Sequence, residues 1–362
     1  VDALTSIGCL LIGIASTLAA LTALVRRGTR QLAVSDTYGE VSRELGLDVD
    51  TRGLSLRGHL QGQRIWVGSV MVDHGPTRRT ACWGVLDLER PLGLGLVLRR
   101  KGLRDRLRRR KGPRVDLRGD PLERSVELFG DDPDRVRALL GPAVRAVLVP
   151  VLERWKDLVV TDQTIRIHLP RPLARAAELR QLVADMRALS AALHASRAEL
   201  PPPPVLAGRA GEWAELGRAL GLALEPQYPG LSGTMDGRAV RVTPMRATEG
   251  YVTEIRVGFR AHPRVGLRIR SQEEPDGYWS VGQDIQCGDA DFDRAFVVKG
   301  WDPDLVRGLL APEVRAGLAA LQRHGKLDVD DLRLHVGQVR AEPGGLLPVV
   351  RAAVDTAAQL GW

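Results

Sequence analysis

The phrase DPDRVRALLGPAVRA occupies Asp132–Ala146, and DPDLVRGLLAPEVRA occupies Asp302–Ala316; eleven of the fifteen aligned positions are identical. Each phrase reads as the start of a helix. Asp132 suits the N-cap, Pro133 the first turn, and Asp134 the positive end of the helix dipole. Val136, Leu139, Leu140, Val144 and Val147 recur at helical spacing. Pro142 restarts or kinks the helix about two turns on. The shared positions are caps and core leucines, not reactive groups, so the echo points to architecture.

The echo extends in both directions. Residues 45–67 align without gaps on residues 220–242, pairing Gly46 with Gly221, Leu56 with Leu231, Gly58 with Gly233 and Gly62 with Gly237. Later, TIRIHL at 164–169 matches LRLHV at 332–336 and pairs His168 with His335. Self-similarity in one order over a long span means duplication, and two copies are too few for a solenoid. Each copy is long enough to own a core. Between them, ELPPPPVLAGRAG (199–211) favours an extended, semi-rigid spacer. The expected organisation is a first repeat over 31–198, a Pro-rich linker over 199–211 and a second repeat over 212–362.

Within a copy the pattern predicts a short helix at Thr37–Leu45, with Thr37 and Glu40 as a capping box. Strands follow at Leu54–Arg57, Arg64–Val72, Thr80–Leu88, Leu94–Arg99 and Ser125–Phe129. The echoed helix, two more strands and a long helix at Leu173–Leu193 close the copy. The second copy repeats this order and ends in a helix at Leu346–Leu360. Runs of hairpins with segregated helices make the fold class α+β, each domain a mostly antiparallel sheet packed with helices.

Residues 3–25 carry no charge, and Arg26, Arg27 and Arg30 follow them. At about 1.5 Å per residue such a helix spans a ~30 Å hydrocarbon core. Residues 1–30 are therefore expected to form a transmembrane anchor with a basic flank. The positive-inside rule then places the remainder in the cytoplasm, as a single-pass membrane protein.

The net charge of +8 is local. RRKGLRDRLRRRKGPR (99–114) holds ten Lys/Arg and one Asp, a charge of +9, so the rest of the chain sums to −1. Arg99, Arg100, Lys101, Arg104, Arg106, Arg108, Arg109, Arg110, Lys111 and Arg114 are candidates for contact with an anionic partner. Lipid headgroups are favoured, because no aromatic is interleaved to stack on bases, which makes nucleic acid unlikely. The matching stretch of the second copy, RSQEEPDGYWSVGQD (270–284), is acidic and aromatic. The competing reading is a solvated tip in a chain whose Arg-rich usage reflects a GC-rich genome.

No other motif brings chemistry. Asp289, Asp291 and Asp293 alternate like the opening of a calcium loop, but an EF-hand wants Gly and Glu where Arg294 and Gly300 stand. A polar turn feeding a strand that buries Phe296 and Val298 is the expectation there. The seven histidines are scattered, and neither a phosphate loop nor a nucleophile elbow is present. The three cysteines show neither metal spacing nor a disulfide framework. The sequence therefore implies no metal, no cofactor and no catalytic residue.

GDADFDRAFVVKGWDPDLVRGLLAPEVRAGL (288–318) resembles an element of uncharacterised bacterial membrane-anchored proteins, a G-D-x-x-F-D-x-x-F-x-V strand followed by a V-R-x-L-L-x-P helix. The first copy keeps the helix and lacks the Phe-Asp pair. The resemblance implies a bacterial origin, which makes the expected location the bacterial inner membrane, single-pass with the soluble domains in the cytoplasm, and it implies no activity. The expected function is a binding or scaffolding module with an unspecified protein partner. The alternatives are a lipid-binding protein, or an enzyme with a site in the cleft between the repeats.

Overall fold

A computed structural model describes residues 35–50, 55–74, 77–101, 113–117, 119–169, 173, 175–202, 207–225, 230–247, 250–261, 265–272 and 283–360. No helix among them is long and apolar enough to cross a membrane. This corrects the expected transmembrane helix, and with it the single-pass inner-membrane placement. The stretch 3–25 on which that expectation rested lies outside the described residues.

The fold is α+β with antiparallel sheets. The chain forms two compact units: one runs to Glu89 and resumes over Ala146–Ala191, and the other comprises Arg90–Arg145 and Ala192–Trp362. The first opens with helix α1 (35–45). Strands β1 (Asp48–Asp50), β2 (Ser55–Leu60), β3 (Gln63–His74) and β4 (Thr77–Asp87) follow. The second unit takes the chain next, through β5 (Val97–Arg100), β6 (Val126–Phe129) and α2 (Pro133–Leu139). Helix α3 (Pro142–Arg154), β7 (Asp157–Thr161), β8 (Thr164–Leu169) and α4 (Ala176–Ala198) complete the first half of the sequence.

In the first unit the strands lie in the order β1-β2-β3-β4-β8-β7, each pair antiparallel. Alternation selects one face for burial: Ile65 and Val67 on β3, Ile165 and Ile167 on β8 are all fully enclosed. Helix α4 lies on that face, close enough that a Cβ at Gly84 would meet Leu182 and Met186 within 3.2 Å. The expected capping box at Thr37 does not form. The helix is already under way at residue 35, and Glu40, with Glu44, is held by Arg180 of α4.

The second unit continues with α5 (Ala210–Leu220), β9 (Ala223–Leu224), β10 (Leu231–Met235), β11 (Arg238–Ala247), β12 (Gly250–Gly258), β13 (Arg268–Ser271) and β14 (Gln283–Asp284). Then come α6 (Ala290–Ala295), β15 (Phe296–Gly300), α7 (Pro303–Leu309), α8 (Pro312–Gln322), β16 (Lys326–Asp330), β17 (Arg333–Val339) and α9 (Pro343–Gln359). The strand order is β9-β10-β11-β12-β17-β16-β13-β15-β14, antiparallel throughout. Its first six positions repeat the order of the first unit, and the β5–β6 hairpin is repeated by β13–β15.

The core of this half is made by period-two and period-3.6 patterns meeting. Val240, Val242, Ile255, Val257, Leu327, Val329, Leu334 and Val336 come from strands; Leu346, Val349, Val350, Ala353, Val354 and Ala357 form one stripe of α9. Each such leucine or valine, fully buried, stabilises the fold by about 1.5–3 kcal/mol. Gly317 of α8 lets α9 approach: a Cβ there would stand 2.6 Å from Thr356 Oγ1.

The repeated phrase does what its chemistry predicts. Asp132 accepts hydrogen bonds from the Asp134 and Arg135 amides (3.1 and 3.2 Å), and Asp302 from the Asp304 and Leu305 amides (both 3.1 Å). Pro142 and Pro312 do not kink a helix; each opens a new one, α3 and α8.

Candidate functional site

Of the ten basic candidates, Arg99, Arg100, Lys101 and Arg114 are described; Arg104, Arg106, Arg108, Arg109, Arg110 and Lys111 lie outside the described residues. Arg99 is committed to the sheet. It pairs with Glu127 at 2.7 Å on the facing strand, and its guanidinium lies 5.4 Å from the centre of the Phe129 ring. Lys101 and Arg114 are exposed at the two stems of the basic segment. The Lys101 amide bonds Ser125 O at 2.9 Å, Arg114 bridges Phe129, and the Val115 amide bonds Leu128 O at 2.8 Å.

The acidic segment of the second half leaves and rejoins the sheet in the same way. The Gln272 amide bonds Ala295 O at 2.9 Å, Asp284 pairs with Lys299, and the Ile285 amide bonds Val298 O at 2.9 Å. The two insertions therefore spring from one structural position. Their charge inversion reaches the described stems, where Arg114 stands in the place of Asp284.

Each of the alternating aspartates is engaged within the chain. Asp289 caps α6 by accepting from the Phe292 amide at 3.1 Å and is met by Arg315 at 3.2 Å. These bonds, the Phe292 amide first, hold its carboxyl below the usual range. Asp293 accepts from the Cys287 and Gly288 amides at 2.8 and 3.1 Å, and Asp291 pairs with Arg294. What was expected as a polar turn is a short capped helix, and Phe296 and Val298 behind it are buried. Among the described residues no group of three or more His, Cys, Asp or Glu could hold a metal ion.

The paired histidines occupy matching registers. His168 faces Asp157 at 3.0 Å beside the Trp83 ring. His335 faces Glu254 at 3.5 Å, and the same carboxylate accepts from Arg256 at 3.1 Å. Burial pushes the Glu254 carboxyl up, but its hydrogen bond to His335 and the charges of His335 and Arg256 outweigh this and hold it at about 2. Cys287 is displaced the other way: burial and then Asp293 raise its thiol to about 11, which removes the thiolate that a nucleophile needs.

The feature that sequence reading missed is a pocket of about 320 Å³ in the second unit. Its origin is an irregularity in the ladder between β12 and β17. Thr253 faces Val339 and Ile255 faces Val336, so Gly337 and Gln338 together oppose Glu254. Gln338 takes the left-handed conformation, φ 59°, rare for a residue with a side chain. Such a bulge bends and twists its strand, and bulges gather beside binding sites. Beyond it the chain passes through Arg340, Ala341 and Glu342 to Pro343, which opens α9.

The pocket lies between that segment, the end of the β11–β12 hairpin (Pro244, Tyr251, Val252) and the start of α5 (Arg209, Trp213). Arg209 bonds Glu212 bidentately, at 3.1 and 2.7 Å, and also pairs with Glu342. The Glu212 hydrogen bond raises the Arg209 pKa, and the same bond lowers that of Glu212. Nothing in the local composition announces this lining, because its residues are gathered from three separate stretches.

The chain matches no protein-family model and no curated protein. Among solved structures it has a likeness to the mycobacterial trehalose monomycolate transport factor A, TtfA. The TM-score is 0.32 and the identity 10%, over 42% of this chain and 92% of that one. A likeness of this size carries no functional argument.

Proposed function

We propose that this chain is a binding protein, and that the pocket between α5, the β11–β12 hairpin and the segment before α9 takes a small anionic organic molecule. The observation that carries the reading is the lining: two arginines, a tryptophan and a tyrosine face one concavity at a β-bulge. At about 320 Å³ the volume is at the small end of the ~300–1,000 Å³ common for ligand sites. Trp213, Tyr251, Val252 and the two prolines suit an aromatic or aliphatic body. Arg209 and Arg340 suit a carboxylate or sulfonate, whose charge-assisted bonds are the strong ones.

The test uses 1-anilinonaphthalene-8-sulfonate, an aromatic anion whose emission reports apolar surroundings. Saturable binding to one site on the folded chain is expected, weakened about tenfold by Arg340→Ala, which corresponds to ~1.4 kcal/mol. Binding that is unsaturable, or unchanged in both Arg340→Ala and Tyr251→Ala, would overturn the reading.

A second reading rests on the charge inversion at the two matched insertions. In it the segment 99–114 contacts anionic lipid headgroups through the residues beyond Arg99, each Lys/Arg near the surface contributing about 1 kcal/mol.

A further inference from the structure

Thr253 lines the pocket from the side of the sheet. Along β11 and β12, Val240 faces Val257, Val242 faces Ile255 and Pro244 faces Thr253. Residues two apart on a strand share a face, so Thr253 continues the row that Ile255 and Val257 bury in the core. It is 4% exposed, and among the described residues its hydroxyl has no hydrogen-bond partner. Buried hydroxyls are nearly always bonded, because one left without a partner forfeits its hydration for nothing. A hydroxyl set into an apolar row and opening on a pocket is therefore placed to bond whatever the pocket holds.

The first half carries an apolar version of the same place. Gly84, facing Ile167, holds the position of Ile255, which faces Val336. Two residues earlier Cys82, facing Leu169, holds the position of Thr253, which faces Val339. Cys82 and Leu169 are both buried, and so is Tyr38, which stands in α1 where Trp213 stands in α5. The frame is shared and two things have changed at one point of it. The first-half ladder takes two steps from Ile167 to Leu169, whereas β17 takes three from Val336 to Val339, and this added residue makes the bulge. A threonine hydroxyl, a good donor and acceptor, has taken the place of a thiol, a weak one. The residue that opens the strand and the residue that offers the hydrogen bond lie side by side.

We infer that Thr253 selects the ligand by hydrogen bonding, and that the molecule held in the pocket carries a hydroxyl or carbonyl group besides its anionic group, as a hydroxy or keto acid does. The inference rests on the proposed reading of the pocket as a site for a small organic anion. A ligand hydroxyl donates to Thr253 Oγ1 or accepts from it, and a ligand carbonyl accepts. An analogue without the group seals the threonine hydroxyl from water and gives it nothing to bond, so the discrimination comes chiefly from the penalty on the wrong ligand.

The test titrates the full chain calorimetrically with benzoate and with its ortho, meta and para hydroxy derivatives. At least one hydroxybenzoate should bind about fivefold or more tightly than benzoate. Thr253→Val removes the hydroxyl and keeps the branched shape; it should erase that advantage by weakening the hydroxy acid while leaving benzoate unaffected. Thr253→Ser should retain the advantage. Because the hydroxyl bonds nothing among the described residues, the melting temperature of Thr253→Val should not fall below that of the parent. An advantage that survives Thr253→Val overturns the inference. Saturable uptake of 1-anilinonaphthalene-8-sulfonate accompanied by equal binding of the benzoates, or by none, overturns the inference alone. Absence of saturable binding for every one of these probes overturns it together with the anion-site reading.

Discussion

Replacing Glu254 by glutamine tests the charge arrangement at the bulge. In the folded chain this carboxylate is 7% exposed, accepts from Arg256 at 3.1 Å and faces His335 at 3.5 Å. Its pKa is held at about 2 instead of the ordinary 4.5. At 1.36 kcal/mol per pH unit, that difference is worth about 3 kcal/mol of stability at neutral pH. A depressed carboxylate contributes fully above its unfolded pKa, and the contribution is lost as pH falls through the folded one. The gap between parent and Glu254→Gln should therefore carry a pH-dependent part of about 3 kcal/mol that is fully present at pH 7, shrinks as pH falls from about 4.5 towards 2, and is small below that. Other carboxylates titrate over the same range, but they are common to both proteins and cancel in the difference. Urea unfolding followed by tryptophan fluorescence at a series of pH values measures the gap. A gap that stays constant from pH 7 to pH 3 would refute the reasoning, as would a variant as stable as its parent at pH 7.

Two further outcomes are expected. Gly266→Ala should cost more than Gly221→Ala: both glycines have φ near +70°, but the space beside Gly221 is open while a Cβ at Gly266 meets Trp301 at 2.8 Å. The left-handed conformation alone costs about 1–2 kcal/mol, so thermal melts that rank the two variants equally would show that Trp301 is not packed on Gly266. Changing Arg106, Arg108, Arg109, Arg110 and Lys111 to glutamine should weaken binding of the chain to phosphatidylserine vesicles and leave its melting temperature nearly unchanged. Equal vesicle binding before and after rules out headgroup contact by this segment.

Much of the fold was legible because its signals are local. A capping aspartate, a first-turn proline and apolar spacing mark α2 and α7 whatever surrounds them, and the helices stand where the repeated phrase predicts. Alternating apolar residues marked β3 and β4 to within a few positions. The boundaries that moved did so for tertiary reasons. The first helix is under way before Thr37, with Glu40 and Glu44 drawn to Arg180, 136 residues or more away in sequence. The long helix α4 starts later than expected and runs on to Ala198, where Arg197 and Ser196 find carbonyl partners near α2.

The sites divide along the same line. The charge of residues 99–114 is a sum over neighbours in sequence, so composition alone reveals it, and so does its inversion in the second half. The removal of Arg99 from that set is tertiary, because Glu127 and Phe129 reach it only across a hairpin. The pocket is tertiary throughout: one extra residue in β17 turns the strand and brings Arg340 together with Trp213 and Tyr251, which no spacing rule connects. The exposed Trp301 and Leu305 lie between. Both residues are plain in the sequence, but burial is a property of the packed chain, and only the packed chain shows that they face outward.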